Sequence, residues 1–236
     1  MLFKTGKIEI NNILNIVKGL SAELKIAEIS KYFLGVPYKK NSLIGSATTQ
    51  EQFVIDLEGV DCMTFIEYVE ALRLSEDLNS FIENLRYVRY FDGVVDFKKR
   101  RHFFTDWQDL KSVKNVTLEI AEQMVLTAIK NLNFINGIEP KQRIINYIPL
   151  ETIEKILSKL KSGDYCGFYT SKEGLDVTHV GIIIVNGNNF KLRHASSLKG
   201  YVIDEDFLTY LKNPVCQQAG KEGIIIFRAI KNVTSS

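Results

Sequence analysis

The chain has few of the groups that carry most protein chemistry. Its 236 residues include three cysteines, three histidines and one tryptophan. The cysteines, Cys62, Cys166 and Cys216, form no CxxC pair and no zinc-ligand spacing, so neither a metal-ribbon nor a thioredoxin-type redox reading applies. An odd count leaves at least one thiol outside any disulfide. A Cys166–Cys216 bond stays open, although both suit small buried apolar positions. No run approaches the roughly 18 or more apolar residues of a membrane-spanning helix. The first residues, Met1-Leu2-Phe3-Lys4-Thr5-Gly6-Lys7, lack the apolar core and small-residue cleavage site of a signal peptide. Internal repeats and low-complexity tracts are absent. A large charge excess is missing too: the net charge is +2, which points to neither nucleic acid nor a membrane surface as partner. No cofactor is expected, and a monomer is.

What is present is an ordinary globular composition, 45% hydrophobic and 25% charged, enough to bury a core. Apolar residues recur at helical spacing over residues 8–33, ended by Gly35-Val36-Pro37-Tyr38, where glycine and the pre-proline position stop a helix. Helices are predicted from Cys62 to about Leu74 and over about Leu78–Val88. Segment 90–110 is dense in aromatics and charges without periodicity, which suits an excursion over a cleft. Residues 115–138 read as helical or mixed, and 149–161 as a helix with proline near its start. The last third reads as strands: Asp164–Thr170, His179–Val185, Phe190–Ser196, Tyr201–Ile203 and Ile224–Ile230, with Asn186-Gly187-Asn188-Asn189 as a hairpin turn. The expected class is α+β, in one domain over 1–236 with a helical part to about 160 and a β-rich part over 161–236.

Against that background Cys62 stands out. It follows Glu58-Gly59-Val60-Asp61 and opens an amphipathic run, which places a thiol in the first turn of a helix. About half a positive charge at a helix N-terminus favours the thiolate. A two-residue loop at Gly187-Asn188 pairs His179 with Ser196 and Gly181 with His194, so both histidines fall on one face, a diagonal step apart. A cysteine with a distant histidine is the sequence form of an activated nucleophile. His179 is then the candidate base and His194 its orienting partner. Asp61 reads either as a helix cap or as a holder for a substrate amine or amide. Trp107 reads either as core or as a platform for a sugar ring.

These blocks carry a resemblance. Gly35-Val36-Pro37-Tyr38, Gly59-Val60-Asp61-Cys62-Met63-Thr64-Phe65-Ile66-Glu67, Ser162-Gly163-Asp164, Thr178-His179-Val180-Gly181 and Leu192-Arg193-His194-Ala195-Ser196 resemble the NlpC-type papain-like cysteine hydrolases of the bacterial cell wall. Arg89-Tyr90-Phe91-Asp92-Gly93 and His102-Phe103-Phe104-Thr105-Asp106-Trp107 narrow it to the N-acetylmuramoyl-L-alanine amidase-like branch. The resemblance implies a papain-like fold with the nucleophile helix packed on an antiparallel sheet or barrel. It implies Cys62 as nucleophile, His179 as base, His194 as third member, and Tyr38 and the Cys62 amide at the oxyanion. It implies peptidoglycan or muropeptides as substrate, cut at the N-acetylmuramoyl-L-alanine amide. The same residues could serve a γ-D-glutamyl-diamino acid endopeptidase, an acyltransferase with a lipid or amine acceptor, or an inactive protein that binds wall fragments. Relatives of this kind act in the periplasm or outside the cell. This chain shows no export signal and no wall-binding module.

Overall fold

The computed structural model describes residues 1–214 and 220–230. The fold is mixed α/β with an antiparallel sheet. The chain forms two compact units, Met1–Arg101 with Arg193–Asp204, and His102–Leu192 with Glu205–Ser236. Among the described residues, no helix is long and apolar enough to cross a membrane.

The first unit is built on helices. Strand β1 (Leu2–Lys4) pairs in parallel with β2 (Val54–Asp56). The amphipathic stretch predicted over 8–33 is two helices, α1 (Ile10–Ile16) and α2 (Ala22–Lys31). The break has a local cause: Gly19 takes φ +79°, and the Ser21 side chain accepts the Leu24 amide as the cap of a new helix. Helix α3 (Cys62–Leu74) and α4 (Leu78–Arg89) follow as predicted. Helix α3 is buried from Thr64 to Arg73, including Glu67 and Glu70. These carboxylates survive burial because each is paired: Arg89 Nε donates to Glu67 at 2.7 Å, and Arg73 donates twice to Glu70 at 2.7 Å.

The second unit is built on a sheet. Its strands are β3 (Val113–Asn115), β4 (Leu126–Leu132), β5 (Lys141–Pro149), β6 (Tyr165–Tyr169), β7 (Val177–Asn186) and the start of β8 (Asn189–Ser196); after β9 (Tyr201–Asp206), β10 (Gly223–Ala229) completes it. The order runs β4-β5-β10-β6-β7-β8, with β3 also on β10. Along β6 and β10, side chains alternate between two covered faces. Cys166, Phe168, Ile224 and Ile226 pack under α5 (Thr117–Ala121), α6 (Phe207–Lys212) and the 3₁₀ turns of Leu150–Lys159. On the other face Phe104 meets Phe227, and Trp107 meets Tyr165, each at a ring separation of 5.0 Å.

Three expectations are corrected here. Of residues 115–138, read as helical or mixed, Thr117–Ala121 is α-helix, but from Leu126 the chain forms the β4–β5 hairpin; the alternation of β4 is broken where Ile129 is exposed and Lys130 is buried. Leu150–Lys159 winds as 3₁₀ turns. The aromatic run ends inside the core: Phe103, Phe104, Trp107 and Leu110 are buried. Gly167 makes the room, since a Cβ there would lie 2.3 Å from the Phe104 ring. Cys166 is a buried free thiol in the sheet core, and burial pushes its pKa well up. Cys216 lies outside the described residues.

Candidate active site

In the first unit, the sequence before Cys62 sets that residue's position step by step. The Asp61 side chain accepts the Thr64 amide at 2.8 Å, while Thr64 Oγ1 accepts the Asp61 amide at 2.9 Å. This reciprocal cap starts α3 at Cys62. Of the two readings of Asp61, the cap is therefore realised. The half-buried Cys62 sits where the helix has no earlier carbonyl to accept its amide, at the positive end of the helix dipole.

A backbone ladder brings two further candidates, Tyr38 and His194, to this unit. Val60 donates to Pro37 at 3.0 Å and accepts from Lys39 at 2.9 Å, a parallel bridge that lays Tyr38 beside Val60. A Cβ at Gly59 would strike the Lys39 side chain at 2.9 Å, so the glycine allows the two segments to close. Lys39 is held in turn by Asp56 at 2.5 Å. Burial, then the negative charges of Cys62 and Asp61, push the Tyr38 hydroxyl above its ordinary pKa. The phenol therefore stays a proton donor at neutral pH.

On its other edge, Tyr38 donates its amide to Gly200 at 2.8 Å, and Val202 donates to Val36 at 2.9 Å. This is the hairpin end of β8 and β9, whose residues 193–204 belong to the first unit. His194, buried, lies on that end of β8. Its neighbour Arg193 is the anchor that sequence reading missed. The Arg193 guanidinium forks onto Asp204 at 2.6 and 2.8 Å and reaches Ser30 Oγ at 2.9 Å and the Ala27 carbonyl at 3.1 Å. It fixes β8 to β9 and to α2, and thereby the backbone of His194. Nothing in the sequence marks this arginine, because its partners Asp204, Ser30 and Ala27 lie on other elements.

His179 and Trp107 belong to the second unit. His179, half-buried on β7, stacks on Phe168 with ring centroids 6.0 Å apart and lies 6.3 Å from the Tyr210 ring. The turn after β7 is the two-residue Gly187-Asn188 loop, with Gly187 at φ +58°, the position where such loops favour glycine. Trp107 has no exposed surface. It offers no face to a sugar and is core, the first of its two readings. Among the described residues, no group of three or more histidines, cysteines or carboxylates could hold a metal ion.

The comparisons with known proteins agree with this picture at the level of the family. A Legionella pneumophila protein of the domain family DUF1460 shares 22% identity over 94% of both chains, with a TM-score of 0.80, and shows the same fold. An N-acetylmuramoyl-L-alanine amidase from Bacteroides uniformis is 25% identical, with a TM-score of 0.77 over 89% of this chain and 99% of its own. No curated protein matches the chain. The model of one family matches residues 28–216, which take in Tyr38, Cys62, His179 and His194. The chain belongs to that family, AmiA-like, described as N-acetylmuramoyl-L-alanine amidase-like.

Proposed function

We propose that this protein is a cysteine-dependent peptidoglycan amidase that cuts the amide between N-acetylmuramic acid and L-alanine. The observation that carries the reading is the placement of Cys62 at the first turn of a reciprocally capped helix, with Tyr38 bridged to Val60 two residues before it. Membership of a family described as N-acetylmuramoyl-L-alanine amidase-like supports the choice of bond.

The roles follow from the chemistry of the groups. The Cys62 thiolate attacks the carbonyl carbon of the muramoyl lactyl group. The tetrahedral oxyanion takes hydrogen bonds from the Cys62 amide and the Tyr38 hydroxyl; each such donor is worth about 3–4 kcal/mol in the transition state. His179, having taken the thiol proton, gives it to the departing amine of L-alanine, and His194 orients the imidazole. Water, deprotonated by His179, then cleaves the thioester, releasing the carboxylate and restoring the thiol. The papain-like NlpC-type arrangement in one catalytic domain is part of the same proposal.

Digestion of a defined muropeptide with product identification by mass spectrometry tests it. The proposed bond yields a stem peptide with a free L-alanine amine and an intact N-acetylmuramic acid. Products cut between D-glutamate and the diamino acid would replace the amidase with an endopeptidase.

A further inference from the structure

The ladder between β6 and β7 is regular from Tyr165↔Ile182 to Phe168↔His179, and then it slips. The next residue of β6, Tyr169, pairs with Val177. Thr178 is therefore one residue too many on β7, a bulge directly before His179. Cross-strand partners share a face. The extra residue thus puts Val177 and His179 on opposite faces, where unbroken alternation would put them together. Side-chain contacts agree. A Cβ built at Gly167 would meet Phe104 Cδ1 at 2.3 Å and Val177 Cγ1 at 3.0 Å, so Val177 lies on the Phe104 face. The His179 ring lies on the other, against Phe168 and Tyr210.

The strand just before the bulge is gripped from the Phe104 side. Asp176 is buried, and its carboxylate accepts the Thr105 amide at 2.7 Å and the Val177 amide at 2.7 Å. Its carbonyl accepts the Thr170 amide at 3.2 Å. Thr105 itself is held by Arg143, which donates to its carbonyl at 2.7 Å. At the bulge, by contrast, the Thr178 hydroxyl oxygen is buried without a hydrogen-bond partner. What the fold uses at this position is the added residue, not its side chain.

We propose that the grip of Phe104–Thr105 on Asp176–Val177, followed by the bulge at Thr178, is the device that turns the His179 imidazole onto the Phe168–Tyr210 face. Asp176 is a positioning residue for the base, and position 178 contributes only its backbone; this rests on the reading of His179 as that base.

The test uses the full chain with Asp176→Ala, Asp176→Asn, Thr178→Val and deletion of Thr178. A displacement near 1 Å can cost on the order of 100-fold in rate, so Asp176→Ala and the deletion are expected to lower kcat by about that factor with KM within about two-fold. Asp176→Asn keeps one acceptor and recovers part of the loss. Thr178→Val keeps the residue count and retains wild-type kcat. The His179 imidazole signals in nitrogen-edited spectra shift in Asp176→Ala and stay in place in Thr178→Val. Wild-type kcat and unshifted His179 signals in folded Asp176→Ala overturn the proposal, as does a Thr178→Val loss equal to that of the deletion. If the deletion variant fails to fold, the three substitutions carry the test. Should His179→Ala keep full activity, the base assignment falls, while the His179 signals still decide whether Asp176 places the ring.

Discussion

Cys62 and His179 are positioned by opposite means. Around Cys62, most of what matters lies within six residues: Gly59 for a close approach, Val60 for the bridge, Asp61 and Thr64 for the cap. Around His179 the determinants are remote. Phe168 is its ladder partner, Tyr210 borders its ring, and Thr105 grips the strand through Asp176 across 71 residues. The difference teaches why the placement of one residue is legible in its flanking residues, while for the other the hairpin register gives a face but not what surrounds it. A helix cap is a local code with fixed offsets. A strand residue inherits its face and exposure from partners that the pattern does not name.

The same contrast predicts how the two units respond to damage. The largest effect is expected in the helical unit. Arg89→Met strands Glu67 inside the helix cluster and should lower stability by about 3–5 kcal/mol, read from urea midpoints. Arg89→Met with Glu67→Leu should recover most of that loss. Arg143→Met, in the sheet unit, should cost less, because Asp106 keeps Lys141 at 3.0 Å and the Phe103 amide at 3.1 Å. An Arg143 loss equal to that of Arg89 would erase this distinction.

Next is Asp61→Ala, which removes the cap of α3. It should cost about 1 kcal/mol and slow the alkylation of Cys62 at mildly acidic pH, since the first turn no longer has its side-chain acceptor and frays. Asp61→Asn keeps the acceptor and should preserve stability better than alkylation rate. No change in either quantity would mean that the local code does not hold the thiol.

Alkaline pH acts on both units. Burial pushes up the hydroxyl of Tyr68 in the helical unit, as it does those of Tyr147 and Tyr169 in the sheet unit. A raised native pKa means that the unfolded chain loses its protons first. The stabilisation is complete below the ordinary tyrosine value of 10.0 and is lost as pH rises through the native values. Unfolding midpoints should therefore fall above that point, and Tyr68→Phe should flatten the fall.

The smallest effects belong to two exposed caps, one in each unit. Ser80 donors hold Asp77 below the usual carboxylate range, and the Thr209 hydroxyl and amide do the same for Asp206. A lowered native pKa gives stabilisation that is present above the unfolded value of 3.8 and lost as pH falls through the native one. Asp77→Ala and Asp206→Ala should each reduce the acid sensitivity of the midpoint slightly.

The sequence showed α3, α4, the strands of the last third and the Gly187-Asn188 turn, because each has a local signal: a cap, an apolar stripe or a glycine at a loop position. It did not show the β4–β5 hairpin, where Lys130, Lys141 and Arg143 point inward to carbonyls and Asp106, reversing the usual polarity. Nor did it show that Phe104 and Trp107 are core, since their place depends on Gly167 and Tyr165, about sixty residues away. At the candidate site, Tyr38 came from the resemblance, while the Asp61 cap and the place of His194 on the hairpin were legible in the sequence itself. Arg193 and the Thr178 bulge were not, because a fork onto Asp204 and a slip in register exist only between strands.

The most direct measurement is cleavage of a purified muropeptide by Cys62→Ala beside the wild-type protein, with folding checked by thermal unfolding. The account predicts a folded variant with no detectable release of the stem peptide. A folded Cys62→Ala that releases it at the wild-type rate would contradict the account.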